Sequence, residues 1–283
     1  MRLIDLLMTA AEYLKKKGFE HSRLEVERML GSVLDLSRLN LYMDYEREIT
    51  EQELERFREL VKRRVAHEPL QYIIGKTSFR EVEIKTDHRA LIPRPETEIL
   101  VQAAVEFLRN RENPLIADLG TGTGSIALSV VYELPGTRAI AVDISDDALI
   151  LARHNARRLG VEHMITFVSG DMLKGLEGRG PFDAILSNPP YVRSGDIEEL
   201  ESEVRDYEPA IALDGGSEGL DYVNAIASDA HEFLKSDGLL LIECDSNQVS
   251  YVTSILEKTH SYAAIDRVKD LTGKERIVRA HRR

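Results

Sequence analysis

The sequence predicts an α/β protein, a parallel sheet flanked by helices and preceded by a small helical domain. Three patterns predict it. The first 70 or so residues carry apolar side chains at helical spacing. From Pro114 onward, short apolar runs alternate with helical segments, as strand–helix–strand units require. A glycine-rich loop follows the first of those runs and opens a helix, which is where open α/β sheets hold their ligands.

The elements follow in order. Leu3, Leu6, Leu7, Ala10, Ala11 and Leu14 form one apolar stripe. Ser22 with Glu25, and Thr50 with Glu53, each fit a capping box that starts a helix. Residues 1–75 thus read as a helical bundle used for contact, with no phosphate loop or catalytic motif. Phe79, Val82, Ile84 and Thr86 alternate with polar neighbours, so residues 76–92 read as a linker containing a β-hairpin. Pro93 and Pro95 then fix an extended approach to a helix running through Phe107. The remaining domain spans residues 93–283. Its predicted strands are 115–119, 139–143, 164–168, 183–187 and 238–243, with helices near 125–134, 146–159 and 216–235. Two further strands, 263–268 and 275–280, flank Leu271-Thr272-Gly273 and are placed to pair as a terminal hairpin.

Composition narrows the function. With 43% hydrophobic residues in 283, the chain is neither disordered nor fibrous. No apolar run approaches the roughly 20 residues of a membrane span; Leu239-Leu240-Leu241-Ile242 is typical of the longest. Asp5 and Glu12 interrupt the apolar N-terminus, which argues against a secretory leader. A single cysteine, Cys244, excludes an internal disulfide and points to a reducing compartment, the cytoplasm. The eight histidines show no metal-ligand spacing, so no metal is expected. Residues 1–75 hold 13 Lys+Arg and 14 Asp+Glu, which leaves a net charge of −11 on the rest. Such a body repels phosphate backbones, so stable nucleic-acid binding is disfavoured.

Asp118-Leu119-Gly120-Thr121-Gly122-Thr123-Gly124 is the glycine-rich loop. Its glycines permit a tight turn and close approach of backbone amides to a ligand. Asp143 ends the second strand of the sheet, where a carboxylate can accept two ribose hydroxyls. Two cofactors remain open at this point. Gly122-Thr123-Gly124-Ser125-Ile126-Ala127 satisfies the dinucleotide pattern G-x-G-x-x-A. The same loop resembles the D-x-G-x-G-x-G of S-adenosylmethionine methyltransferases, with Asp118 and Asp143 suited to that cationic cofactor. Gly170-Asp171-Met172 follows the third strand, where Asp171 can accept an adenine amine and Met172 can pack on the ring.

Ser187-Asn188-Pro189-Pro190-Tyr191 ends the fourth strand and is the most specific signal. It resembles the [DNS]-P-P-[YFW] motif of amino-methyltransferases, which act on nitrogens conjugated to a π-system. Such a nitrogen is a poor nucleophile because its lone pair is delocalised. The Asn188 side-chain oxygen and the Pro189 carbonyl can each accept one of its N–H groups, while Pro189 and Pro190 restrict the backbone. Tyr191 is placed to stack on the planar acceptor. Asn188, Pro189 and Tyr191 are therefore the expected catalytic residues, and Asn188 is also expected beside the cofactor.

Further motifs narrow the resemblance. Glu68-Pro69-Leu70-Gln71-Tyr72-Ile73-Ile74-Gly75, Ile92-Pro93-Arg94-Pro95-Glu96-Thr97-Glu98, Asp143-Ile144-Ser145 and Glu208-Pro209 resemble segments of the peptide chain release factor N5-glutamine methyltransferases, the PrmC/HemK family. The resemblance covers most of the chain. It implies a Rossmann-like seven-strand S-adenosylmethionine methyltransferase sheet, with Ile144 joining the cofactor contacts. It also implies the acceptor: the side-chain amide of the glutamine in the Gly-Gly-Gln loop of class I release factors, with S-adenosylhomocysteine as the second product. The helical domain would help to grip that partner. Met172 stands where the family often has an aromatic, and Glu243-Cys244-Asp245 where it often has a glycine. Arg94, Thr97 and Glu98 lie in a family signature but offer no chemistry that the sequence alone derives. Competing readings are methylation of an exocyclic amine in DNA or RNA, a nicotinamide dehydrogenase, and a silent cofactor-binding module.

Overall fold

The computed structural model describes residues 1–283, which divide into two compact units. The first comprises Met1–Lys76 with Glu201–Tyr207, and the second Thr77–Leu200 with Glu208–Arg283.

The helical unit contains α1 (Leu3–Lys16), α2 (Ser22–Leu34), α3 (Arg38–Met43), α4 (Glu51–Val65) and α5 (Leu70–Ile74). The α1 stripe is buried at Leu3, Leu6, Leu7, Ala10 and Leu14, against Val26, Met29 and Leu30 of α2 and Phe57 of α4. Thr50 forms the capping box: its hydroxyl accepts from Glu53 N at 3.3 Å, and Glu53 accepts from Thr50 N at 2.9 Å. Ser22 does not cap. It lies inside α2, whose N-cap is His21, and Glu25 is taken by Arg64 at 2.6 Å. Arg64 is only 4% exposed, so leaving its charge unpaired would cost far more than a cap contributes. The separate segment Glu201–Tyr207 joins this unit: Glu203 accepts from Arg64 at 2.7 Å, and the Tyr207 hydroxyl donates to the Ala66 carbonyl at 2.6 Å. Nothing in the sequence pattern predicts that attachment.

The larger unit begins with a hairpin, β1 (Lys76–Phe79) and β2 (Val82–Lys85). Phe79, Val82 and Ile84 are buried in that unit's main core, so the hairpin is not a free linker but part of the packed body. Then come α6 (Pro95–Leu108), β3 (Leu115–Leu119), α7 (Ser125–Glu133), β4 (Arg138–Asp143), α8 (Asp146–Leu159), β5 (Ile165–Ser169) and β6 (Phe182–Ser187). After the short α9 (Ser202–Arg205) of the helical unit follow α10 (Asp221–Asp229), β7 (Leu234–Glu243), α11 (Val249–Thr259), β8 (Tyr262–Lys269) and β9 (Glu275–Arg282). The strands form one seven-stranded sheet in the order β5-β4-β3-β6-β7-β9-β8, parallel except where β9 pairs antiparallel with β7 and β8. One face carries α6, α7, α8 and the hairpin; the other carries α10 and α11. Both faces are covered, which is why the central strands are continuous apolar runs.

Two elements depart from the sequence reading. The helix expected over 216–235 starts only at Asp221, because Gly216 and Gly219 adopt φ of +90° and +70° and form a turn. Helix α11, with Val249, Val252, Thr253 and Leu256 buried, is not among the sequence-predicted elements.

Candidate active site

The strand order reverses between β3 and β6, and an open α/β sheet binds its ligand at that switch, beyond the carboxyl ends of the strands. The register Leu119↔Ser187 brings the residues that follow, Gly120 and Asn188, side by side. On the outer side, β4 delivers Asp143 and β5 leads into Gly170-Asp171-Met172. A cleft opens there, lined by the glycine loop, Asp143, Asp171, Met172 and Asn188, the concave kind of place where small molecules bind.

The loop is shaped by its own hydrogen bonds. Gly120, Gly122 and Gly124 all have positive φ, between 55° and 86°. A Cβ on Gly124 would lie 2.9 Å from the Leu128 side chain of α7 and 3.2 Å from the Ala152 side chain of α8, so the loop packs closely on both helices. Asp143 accepts from Gly122 N at 2.8 Å through Oδ2 and from Ser145 N at 2.9 Å through Oδ1. Each oxygen keeps a lone pair for a further donor, and the residue lines the cleft. Burial raises its pKa, against those backbone donors.

Of the residues expected at the cofactor, Gly120, Thr121, Gly122, Thr123, Asp143, Ile144, Asp171, Met172 and Asn188 line the cleft, and Asp118 and Gly124 do not. Asp118 is fully buried beneath the loop. Its Oδ2 accepts from the Thr121 hydroxyl at 2.6 Å and from Ala127 N at 3.2 Å, so it braces the turn against the start of α7. Burial pushes its carboxyl up to about 7. Met172, at φ +46°, brings its thioether methyl within 3.4 Å of where a Cβ on Gly120 would stand.

The motif after β6 divides likewise. Asn188 and Pro190 line the cleft, whereas Pro189 is buried and Tyr191 packs its ring towards the α10–α11 face of the sheet. Tyr191 is thus not a stacking surface in this cleft; burial raises its phenol pKa. Its backbone is tightly held. Gln248 donates to the Tyr191 carbonyl at 3.1 Å, Val192 N donates to Leu213 O at 3.0 Å, and Gly215 N to Val192 O at 2.8 Å. Cβ atoms on Gly215 and Gly219 would collide with the Pro190 and Tyr191 carbonyls.

Several lining residues are ones to which the sequence alone gives no role. Ile92, Arg94 and Thr97 come from the segment leading into α6, and Ile211 and Tyr222 from the far wall. Glu208, 5% exposed, ties these walls together by accepting from Ile92 N at 3.1 Å and pairing with Arg94. That clasp links positions 114 residues apart, which spacing alone cannot reveal.

The donor set discriminates between cofactors. A pyrophosphate needs free amides at the helix N-terminus. Here Gly122 N and Ala127 N already serve Asp143 and Asp118, and the Asp143 carboxylate lining the cleft would repel an anion. S-adenosylmethionine has no pyrophosphate, carries a cationic sulfonium, and offers vicinal ribose hydroxyls to the open lone pairs of Asp143. The residues present fit it. No group of three or more His, Cys, Asp or Glu residues is placed to hold a metal, and no helix is long and apolar enough to cross a membrane.

The chain is similar to known proteins along nearly its whole length. Residues 5–75 match the PrmC N-terminal domain and residues 96–203 the methyltransferase small domain. The release factor glutamine methyltransferase of Chlorobaculum tepidum is 39% identical over 276 residues, 95% of this chain and 93% of that protein. That of Moorella thermoacetica is 38% identical over 283 residues, 100% and 99% of the two chains. Among solved structures, a methyltransferase from Pyrococcus furiosus superposes with a TM-score of 0.51 at 17% identity, over 82% of this chain and 98% of that one, a likeness of fold. The cofactor is S-adenosylmethionine, and the chain belongs to the release factor glutamine methyltransferase family.

Proposed function

We propose that the cleft transfers a methyl group from S-adenosylmethionine to the side-chain amide nitrogen of the glutamine in the Gly-Gly-Gln loop of class I release factors. The observation that carries this reading is Asn188, set beside the glycine loop with its amide nitrogen already engaged: Nδ2 donates to the Thr97 hydroxyl at 3.1 Å. Its Oδ1 is then the atom left to accept from a substrate amide.

When bound, S-adenosylmethionine would supply an electrophilic methyl group on a sulfonium, with the neutral thioether S-adenosylhomocysteine as the second product. Asp143 would take the ribose hydroxyls, Ile144, Asp171 and Met172 would take the adenine, and the loop Gly120–Gly124 would hold the rest. Asn188 Oδ1 and the Pro189 carbonyl accept the two N–H groups of the glutamine amide. Held so, the nitrogen gives up planarity and directs its lone pair into the cleft. A C–N bond would form as the C–S bond breaks, and the nitrogen, acidic once methylated, would release one proton to water. Fixing both partners in line accounts for most of the advantage, about 7–11 kcal/mol for well-oriented reactants. Pro190, Tyr191 and the turn at Gly215–Gly219 keep the acceptors in place rather than touching the reacting atoms.

We assign the helical unit to contact with the release factor. Support comes from its lack of any catalytic motif and from exposed Leu39 and Met43 on α3, 69% and 77% accessible. A cytoplasmic location is supported by the lone, buried Cys244, whose thiol burial pushes up to about 12. The test is label transfer from methyl-labelled S-adenosylmethionine to purified class I release factor, beside a release factor whose Gly-Gly-Gln glutamine is replaced by alanine. Labelling of the first alone supports the assignment. Equal labelling of both, or labelling of oligonucleotides instead, overturns it.

A further inference from the structure

Asn188 can serve as an acceptor only if its amide faces the right way round, and an asparagine side chain does not choose its orientation unaided. Strand geometry brings the deciding groups together. Along β6, Ala184 and Leu186 face the core beneath α6, so the next residue on that side is Asn188. Along β7, Leu239 and Leu241 face the same core, so the next is Glu243. The register Ser187↔Ile242 sets Asn188 and Glu243 on neighbouring strand ends. Thr97, 3% exposed in the first turn of α6, stands over both. Asn188 Nδ2 donates to Thr97 Oγ1 at 3.1 Å, and the Thr97 hydroxyl faces the Glu243 carboxyl, where it favours the charged form. Glu243 is 1% exposed, and its Oε2 has no partner.

A hydroxyl has one proton. An ionised carboxylate can only accept, so Thr97 must donate to Glu243. Its oxygen is then left to accept, and the only group Asn188 can offer is its NH₂. We infer that Glu243, acting through Thr97, is the positioning residue that turns the Oδ1 of Asn188 towards the substrate amide. A buried carboxylate with an unpartnered oxygen is costly, and this role gives that cost a reason. Protonated Glu243 would itself donate to Thr97, whose own proton would then be free to seek the oxygen of Asn188, and the imposed orientation would be lost. Glu243 is faced by Glu96 and Thr97 of α6, Arg94 before that helix, Arg276 of β9 and Tyr191 after β6, with Cys244 beside it in the chain. Burial outweighs the two arginines and pushes its carboxyl up to about 7, so both states are accessible near neutral pH.

The inference rests on Asn188 being the substrate's acceptor, so the wild-type enzyme and Asn188→Ala are assayed alongside. An inactive wild type, or a fully active Asn188→Ala, would count against that underlying assignment; the Thr97 and Glu243 variants test the relay. Thr97→Val removes the hydroxyl at constant shape, and Thr97→Ser keeps it. Turnover with release factor, cofactor Kd by calorimetry and a kcat–pH profile are measured for each. The expected result is a kcat roughly 10- to 100-fold lower in Thr97→Val, cofactor Kd within about threefold of wild type, and recovery of most of the turnover in Thr97→Ser. Wild-type kcat should fall as pH drops through the Glu243 pKa, and Glu243→Gln, which cannot ionise, should lose that acidic limb. Equal impairment of the valine and serine variants, a loss residing wholly in cofactor Kd, or an unchanged acidic limb in Glu243→Gln would each overturn it.

Discussion

Asp143→Asn tests the cofactor site at its most loaded residue. The wild-type carboxylate spends one lone pair of each oxygen on Gly122 N and Ser145 N, and presents the others to the ribose. An asparagine retains one oxygen. Its NH₂ either faces the ribose, where one acceptor is lost, or faces Gly122 N–H or Ser145 N–H, where two donors oppose each other. Hydrogen bonds to a charged group contribute about 1.5–3 kcal/mol, against about 0.5–1.5 for neutral pairs. Losing one ribose bond and weakening the other should cost about 2–4 kcal/mol, roughly 30- to 1,000-fold in Kd. Fold stability should change less. The orphaned backbone amide costs about 1–3 kcal/mol, but removing a charge whose pKa burial already raises offsets part of that. Calorimetric titration with S-adenosylhomocysteine, paired with a denaturant curve, separates the two. The variant should unfold near the wild-type midpoint and bind far more weakly. A Kd within about twofold of wild type, in a folded variant, would refute the assignment of Asp143 to the ribose.

Two further predictions concern the braces of the site. Asp118 binds its proton more tightly folded than unfolded, with a pKa near 7 against the ordinary 3.8, so its contribution to stability is complete below pH 4 and is lost as pH rises to 7. Asp118→Asn keeps an acceptor for Thr121 and Ala127, so its stability relative to wild type should rise across that window and level off above it; a pH-independent difference in urea unfolding would contradict this. Gly219→Ala places a side chain at φ +70°, costing about 1–2 kcal/mol, and drives a Cβ into the Tyr191 carbonyl. Its kcat should fall with cofactor Kd preserved, whereas Gly195→Ala, which meets open space, should be silent in the same assay.

Much of the site is legible in the sequence because each part follows a strand directly. The glycine loop, Asp143, Asp171-Met172 and Asn188 all sit where β3, β4, β5 and β6 end, and one topology gathers them. What is not legible depends on partners far apart in the chain. Thr97 shows no chemistry until Asn188 stands 91 positions away at hydrogen-bond distance. Glu243 reads as an ordinary strand end until its burial is known. Asp118 has the right type and spacing for a ligand contact, yet points beneath the loop, because the start of α7 needs an acceptor for its amide. Ser22 and Glu25 carry a cap signature that a buried arginine overrides. Helix α11 hides among Val249, Val252, Thr253 and Ile255, β-branched residues that favour strands in isolation but here pack an amphipathic face on the sheet.

The central claim is that this cleft methylates one particular side-chain nitrogen, and peptide mass spectrometry of the product tests it most directly. Class I release factor incubated with the enzyme and S-adenosylmethionine should gain the mass of a single methylene on the Gly-Gly-Gln glutamine, and none when Asn188→Ala replaces the wild type. A modification on any other residue, or undiminished methylation by Asn188→Ala, would contradict the account.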